Sequence, residues 1–265
     1  MKLSIITINY NDKEGLQKTI NSIISQNFQD FEWIVIDGGS SDGSKELIEK
    51  YQSHFVYWCS EPDGGVYNAM NKGIVQAKGD YLNFMNSGDY FVSNRVLEMI
   101  FEDDFKVDIL YGNVVVYNKC KQYKLKTIHS DHIKGIDLIS SSICHQAAFI
   151  KRDLFSKYGL YDETLKLVSD WKFFFEVILF HQCSVKYLNI DVVNYDLSGM
   201  SSINIDKLKE ERLTVLRELL PEFVVDDYQN EIHINEVLKY RVSKKIFSFI
   251  YRLVLFYEKE KGYVI

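Results

Sequence analysis

Four polar segments follow four short apolar runs in the first ninety residues: Asn9-Tyr10-Asn11-Asp12, Asp37-Gly38-Gly39-Ser40-Ser41-Asp42-Gly43-Ser44, Glu61-Pro62-Asp63-Gly64-Gly65 and Asn86-Ser87-Gly88-Asp89. Each offers carboxylates, amides or hydroxyls, and the last three add glycines, which let backbone approach a ligand closely. A carboxylate such as Asp37 can accept a hydrogen bond from a nucleobase N–H. Asp89 is the type of oxygen ligand that a hard divalent cation bridging two phosphates requires. Lys72 offers a counter-charge for a phosphate. Each residue also has a plain structural use: Asp37 can end a turn, Ser41 or Asp42 can cap a helix, Asn86 to Asp89 is a good turn, and Lys72 can simply be solvated. Asp170, in Ser169-Asp170-Trp171, opens a helical pattern and is either its cap or a general base. A GxxxxGK[ST] loop and a GxGxxG fingerprint are both missing, so neither nucleotide hydrolysis nor a dinucleotide site has support.

These segments need elements that bring them together. Apolar runs at residues 3–8, 33–37, 55–59 and 81–85 alternate with helical patterns at 13–25, 44–51 and 66–77. Consecutive apolar residues in SIITI and WIVI predict strands covered on both faces, hence a mostly parallel, three-layer α/β sheet. In such sheets ligands bind beyond the carboxyl ends of the strands, where all four polar segments fall. In the helix from residue 66, Tyr67, Met70 and Ile74 face the core, which leaves Asn68, Asn71 and Lys72 on the opposite side. Beyond Asp89 the pattern predicts strands at 108–117, 123–128, 146–150, 185–188 and 192–195, and helices near Val96 and Arg152 and from Trp171. Trp171 is either core or a platform for a sugar ring; Phe174, Phe175 and Ile178 at helical spacing favour core. After residue 201 the reading is helical.

Composition narrows the class further. The chain has 265 residues, 46% hydrophobic and 26% charged, which excludes disordered and collagen-like chains. At about 150 residues per domain this is one large domain with an appendage. A net charge of -6 argues against a nucleic-acid partner. Cys59, Cys120, Cys144 and Cys183 are too scattered for a disulfide framework or a zinc site, and the run before Asn9 is too short for a signal-peptide core. Cytoplasmic location is expected. Between 239 and 252 five basic residues and no acidic one interleave with Ile246, Phe247, Phe249, Ile250 and Tyr251. The amphipathic stretch 239–257 therefore either packs on the rest of the chain or a second subunit of a homodimer, or docks peripherally on a membrane surface.

The ordered series SIITINYN, IVIDGGSSDGS, SEPDGGVYNAMNKG, GDYLNFMNSGD, CHQAAFIKRDLF, SDWKFF and LSGMSS resembles the family 2 glycosyltransferases of bacterial polysaccharide assembly, across residues 1–202. The resemblance implies a GT-A domain over 1–202, with a nucleotide-binding half at 1–90 and an acceptor-binding half at 91–202, followed by a helical appendage at 203–265. It implies an inverting enzyme that moves a sugar from a nucleotide-sugar, a UDP-sugar in the first instance, to a hydroxyl of a growing glycan or lipid-linked oligosaccharide. Thr7, Asn9 and Asn11 would line the nucleotide pocket and Asp37 would bind the base. Asp63, Asn71, Lys72, Asn86 and His145 would lie near the nucleotide-sugar, diphosphate or acceptor, Asp89 would hold Mn2+ or Mg2+, and Asp170 would be the base. The stretch 198–202 would be a lid over the donor. Where the family usually carries Asp-x-Asp, this chain has Asn86 and Gly88, which weakens the metal set. That departure keeps open a catalytically inactive scaffold; a sugar-phosphate nucleotidyltransferase is the other alternative, though residues 9–15 lack its glycine-rich basic loop. An enzyme with a lipid-linked acceptor would work at the inner face of the membrane.

Overall fold

A computed structural model describes residues 1–103, 105–118, 121–124, 130–196 and 204–239. The predicted lid at 198–202, the stretch 240–257 and Cys120 lie outside the described residues. The first half alternates β1 (Leu3–Asn9), α1 (Lys13–Ile24), β2 (Phe31–Asp37), α2 (Ser44–Tyr51), β3 (Tyr57–Ser60), α3 (Val66–Gln76) and β4 (Tyr81–Phe84). β3, β2, β1 and β4 pair in that order, all parallel.

Every residue of β1 is buried, because both faces are covered. Leu3 and Ile5 join Leu16, Ile20 and Ile23 of α1 and Leu47 and Ile48 of α2 in one core. Ile6 points the other way, where α3 lies so close that a Cβ on Gly73 would sit 2.4 Å from its side chain. Alternation along one strand thus builds the three layers.

The second half adds β5 (Tyr90–Phe91), α4 (Val96–Ile100), β6 (Ile109–Asn118), β7 (Lys121–Lys124), α5 (Gly135–Ser140), β8 (Ala148–Lys151), α6 (Arg152–Tyr158), α7 (Ser169–Leu179) and β9 (Val185–Asn194). β8 enters antiparallel between β4 and β6, and β5 and β7 are antiparallel to their neighbours, so this half is mixed. The run predicted as two strands near 185–195 is the single strand β9, parallel to β6. Asn189 looks like a break in the sequence, but the register shift around Gly112 absorbs it, where a Cβ would meet the carbonyl of Ile190 at 2.6 Å.

The chain divides into two compact units, Met1–Leu208 and Lys209–Ile265. Helices α8 (Ile205–Leu219) and α9 (Glu222–Lys239) close the described residues. No helix among the described residues is long and apolar enough to cross a membrane. Cys59, Cys144 and Cys183 are free thiols.

At the end of the sheet opposite the polar loops, Glu32 is buried and accepts from the Ser4 hydroxyl (2.6 Å) and the N–H groups of Lys78 (2.5 Å) and Gly79 (3.3 Å). One carboxylate thus pins β1 and β2 to the turn that starts β4. Glu32→Ala leaves those donors unsatisfied and is expected to cost about 3 kcal/mol in urea unfolding; a loss below about 1 kcal/mol would show that water replaces the carboxylate there.

Candidate active site

The four polar segments converge, and Asp37 is their centre. Its carboxylate is fully buried at the end of β2 and accepts from four groups. Oδ1 takes Asn9 Nδ2 (2.6 Å) and the Ser40 hydroxyl (2.5 Å); Oδ2 takes the Ser40 N–H (2.9 Å) and the Ser60 hydroxyl (2.6 Å). Burial pushes this carboxyl up, but those hydrogen bonds outweigh it and hold it below its ordinary value. Asn9 in turn accepts from Ser87 at 2.8 Å, which ties in the end of β4.

Around this floor, Asn11 adopts φ 49°, its N–H donates to Ser40 at 2.7 Å, and its side chain accepts from the Ser41 N–H at 2.9 Å. Tyr10 is exposed, and both Tyr10 and Asp63 pack on Gly38, where a Cβ would sit 2.8 Å from Asp63 Oδ2. A flat ring and a carboxylate therefore both stand beside the backbone that follows Asp37. Ser40, Ser60 and Tyr10 escape a sequence reading that looks for charge; only the strand-end position of each marks it.

Three expected pocket residues are placed elsewhere. Thr7 lies inside β1, where both faces are covered, so it is fully buried and its hydroxyl accepts the Trp33 indole N–H at 3.0 Å. Asn71 is buried rather than on the open side of α3. Its amide donates to the Tyr161 carbonyl and to Glu163, both at 2.8 Å, and accepts from the Tyr161 N–H at 3.0 Å. Lys72 pairs with Glu61 at 2.7 Å on the surface.

A second group of side chains joins the two halves. Because β8 runs antiparallel to β4, the turn before it, His145–Ala147, lies beside the end of β4, where Asn83 donates to the carbonyls of Gln146 (3.0 Å) and Ala148 (2.9 Å). His145 Nε2 meets Asn86 Nδ2 at 3.2 Å, and its Nδ1 meets Asp170 Oδ2 at 2.8 Å. The other Asp170 oxygen accepts from Tyr67 at 2.7 Å. Asp170 stands in the first turn of α7, held there by a buried hydrophobic face of Trp171, Phe174 and Phe175. Trp171 is core, its indole donating to the Leu138 carbonyl at 2.7 Å. Burial pushes the Asp170 carboxyl up, while His145 and Tyr67 hold it below its ordinary value; burial and Asp170 together drive the Tyr67 phenol well above its own.

Asp89, the expected metal ligand, is held by protein donors. Its carboxylate is buried, with one oxygen accepting from Gln146 Nε2 (3.0 Å) and the other from the Asp196 N–H (2.9 Å). Burial outweighs these bonds and pushes the group up to about 7. A cation held by one carboxylate takes its other oxygen ligands from phosphates and water, and among the described residues no three acidic, histidine or cysteine side chains are grouped as a preformed site. A carboxyl raised above its unfolded value near 3.8 stabilises the fold below that value, and the contribution is lost as pH rises through about 7. Unfolding free energy is therefore expected to fall between pH 4 and 7 in urea titrations, and Asp89→Asn to remove that slope; an unchanged slope in the variant assigns it to another group.

Comparison with known proteins places this chain in a family. Residues 4–159 match the model of glycosyl transferase family 2. The chain is 33% identical over 215 residues to an uncharacterised glycosyltransferase of Mycobacterium tuberculosis, covering 76% of this chain and 77% of that one. It is 28% identical over 224 residues to a PGL/p-HBAD biosynthesis glycosyltransferase of Mycobacterium bovis, covering 82% and 85%. Among solved structures, Staphylococcus aureus TarS 1-349 in complex with UDP-GlcNAc superposes with a TM-score of 0.66 at 19% identity, over 91% of this chain and 73% of that one. The fold is that of the GT-A glycosyltransferases, and the chain belongs to glycosyl transferase family 2.

Proposed function

We propose that the chain transfers a sugar, with inversion, from a UDP-sugar to a hydroxyl of a growing glycan or lipid-linked oligosaccharide. The observation that carries this reading is the line Asn86, His145, Asp170, in which a residue of the donor-side loop and a carboxylate of the acceptor half meet the same imidazole at 3.2 and 2.8 Å. An inverting transfer needs a group that takes the acceptor proton on one side of the anomeric carbon and a diphosphate site on the other. On this reading Asp170 takes the first part and the strand-end loops the second. A UDP donor is supported by the TarS complex with UDP-GlcNAc, and a lipid-linked acceptor by the relative named for PGL/p-HBAD biosynthesis.

Asn9, Asn11, Tyr10, Ser40 and Asp63 surround the nucleoside end. Asp37 has no spare oxygen in this arrangement, so its part is to hold Asn9, Ser40 and Ser60 in place beneath the base. Asn86 faces the diphosphate and Asp170 drives removal of the acceptor proton. Ser169 and Trp171, buried on either side of Asp170, keep that carboxylate at the head of its helix.

Calorimetric titration with UDP, GDP and CDP, each with Mn2+, with Mg2+ and with EDTA, tests the donor class. UDP is expected to bind most tightly, and any strengthening by a cation would come from the diphosphate completing a site that the side chains do not preform. Asp170→Asn is expected to lower turnover of a UDP-sugar by roughly 10³-fold while the Kd for UDP stays within about twofold. Absence of binding by every nucleotide favours the inactive scaffold instead.

A further inference from the structure

A buried carboxylate that is to receive a proton meets two difficulties. Burial favours its protonated form, which has nothing left to receive, and a carboxylate that turns about its terminal bond offers no fixed direction to an incoming hydroxyl. Tyr67 removes both for Asp170. Its hydroxyl donates to Oδ1 at 2.7 Å while the His145 ring meets Oδ2 at 2.8 Å, so the plane of the carboxylate is held at two points. Each carboxylate oxygen can accept two hydrogen bonds, so one bond on each leaves lone pairs for an acceptor. The Asp170 side chain keeps 16% of its surface open, which gives an acceptor access to them. Burial pushes the carboxyl up, and the bonds from His145 and Tyr67 outweigh it.

The place of Tyr67 is itself fixed from several sides. Helix α3 is pressed onto β1 at Gly73, and Asn68 and Asn71 tie it to the segment before α7. Asn71 exchanges two hydrogen bonds with the backbone of Tyr161, at 2.8 and 3.0 Å, and the two amides donate to one oxygen each of Glu163, both at 2.8 Å. The helix that bears the phenol and the segment that leads to the carboxylate therefore move as one. Tyr161 supplies the contrast. Its ring lies 5.7 Å from that of Tyr67 and its hydroxyl is buried within reach of the charge on Asp170, yet that hydroxyl has no hydrogen-bond partner among the described residues.

Resting on the reading of Asp170 as the group that takes the acceptor proton, we propose that Tyr67 is its positioning residue, whose hydroxyl keeps the carboxylate ionised and aims it. Burial and the neighbouring Asp170 raise the Tyr67 phenol well above its ordinary value, so it remains a donor and takes no proton itself.

The titratable groups facing Asp170 are Tyr67 from α3, His145 and the adjoining Cys144 from the turn before β8, and Tyr161 from the segment before α7. Tyr67 and Tyr161 are raised well above their ordinary values and Cys144 is pushed up to about 12, so all three stay uncharged at neutral pH. Asp89, after β4, is pushed up to about 7 but bonds to Gln146 and the Asp196 N–H rather than to Asp170.

Two measurements on the full chain test the proposal. Carbon-13 NMR of the aspartate carboxyls, with Asp170 assigned by the signal missing in Asp170→Asn, follows the group itself. In Tyr67→Phe its midpoint is expected about one pH unit above the parent's, because an ionised carboxylate that loses a donor is easier to protonate. Tyr161→Phe deletes a hydroxyl that bonds to nothing and is expected to titrate as the parent does. Identical curves for Tyr67→Phe and the parent overturn the proposal, and so does an equal shift in Tyr161→Phe, which would assign it to loosened packing. The second measurement is hydrolysis of UDP-glucose and UDP-GlcNAc across pH, water serving as acceptor. Tyr67→Phe is expected to lower kcat roughly tenfold at neutral pH with KM within about twofold, and to move the acid limb of kcat up by about one unit. A raised KM beside an unchanged kcat, or a fall shared by Tyr161→Phe, overturns it. Failure of the glycosyltransferase reading would show instead as no UDP binding by the parent, and the NMR result stands apart from that outcome.

Discussion

A buried, ionised carboxylate must be saturated with donors, and the way Asp37 meets that demand organises the donor side of the molecule. Its partners come from three strand ends: Asn9 from β1, Ser40 from the loop after β2 and Ser60 from β3. The bond from Ser87 to Asn9 adds the end of β4. Four loops that would otherwise be independent are locked by one charge, and the pocket floor is preorganised before any ligand arrives. Preorganisation lowers the ordering cost of binding, which matters where charge develops on a leaving diphosphate.

The second half of the sheet is joined to that floor by topology. If β8 ran parallel to β4, its beginning would lie at the far end of the sheet, beside the Glu32 pin. Running antiparallel, it delivers His145 to the very end where the ligand loops gather, and Asn83 clamps the turn by two carbonyls. Asp170 arrives from the other direction at the head of α7, whose aromatic face anchors it. The close approach of α3 to β1 at Gly73 then sets the height from which Tyr67 reaches that carboxylate. The mixed second half of the sheet is thus a requirement of the site.

Much of this was legible in the sequence, and what was not has physical causes. Apolar runs ending in Asn, Asp and Gly located the strands and the loops after them, because burial on both faces and ligand access at strand ends leave clear marks. Asp37 and Asp170 stand where those marks put them, but their roles as hubs depend on Ser40, Ser60 and Tyr67, whose hydroxyls carry no charge to notice. Thr7 shows the limit of reading a strand end by proximity: it shares a face of β1 with Asn9, but two residues further in the layers cover that face completely. Asn71 shows the limit of helical wheels, since a segment 90 residues away covers the side of α3 that looked open. The donors to Asp89 could not be read for the same reason, as Gln146 and Asp196 come from the turn before β8 and the segment after β9.

The spans of these contacts differ in a way that bears on how the chain assembles. Asn9 meets Asp37 across 28 residues, and the donor floor is complete by residue 87, whereas Tyr67 meets Asp170 across 103. Loop-closure entropy grows with the logarithm of length, so the longer closure costs about 1 kcal/mol more and is available only after most of the chain has been made. A chain emerging from the ribosome therefore completes the group around Asp37, where the proposed function puts the nucleotide, before Tyr67 and Asp170 can meet. A product that ended between the two would carry the first arrangement without the second.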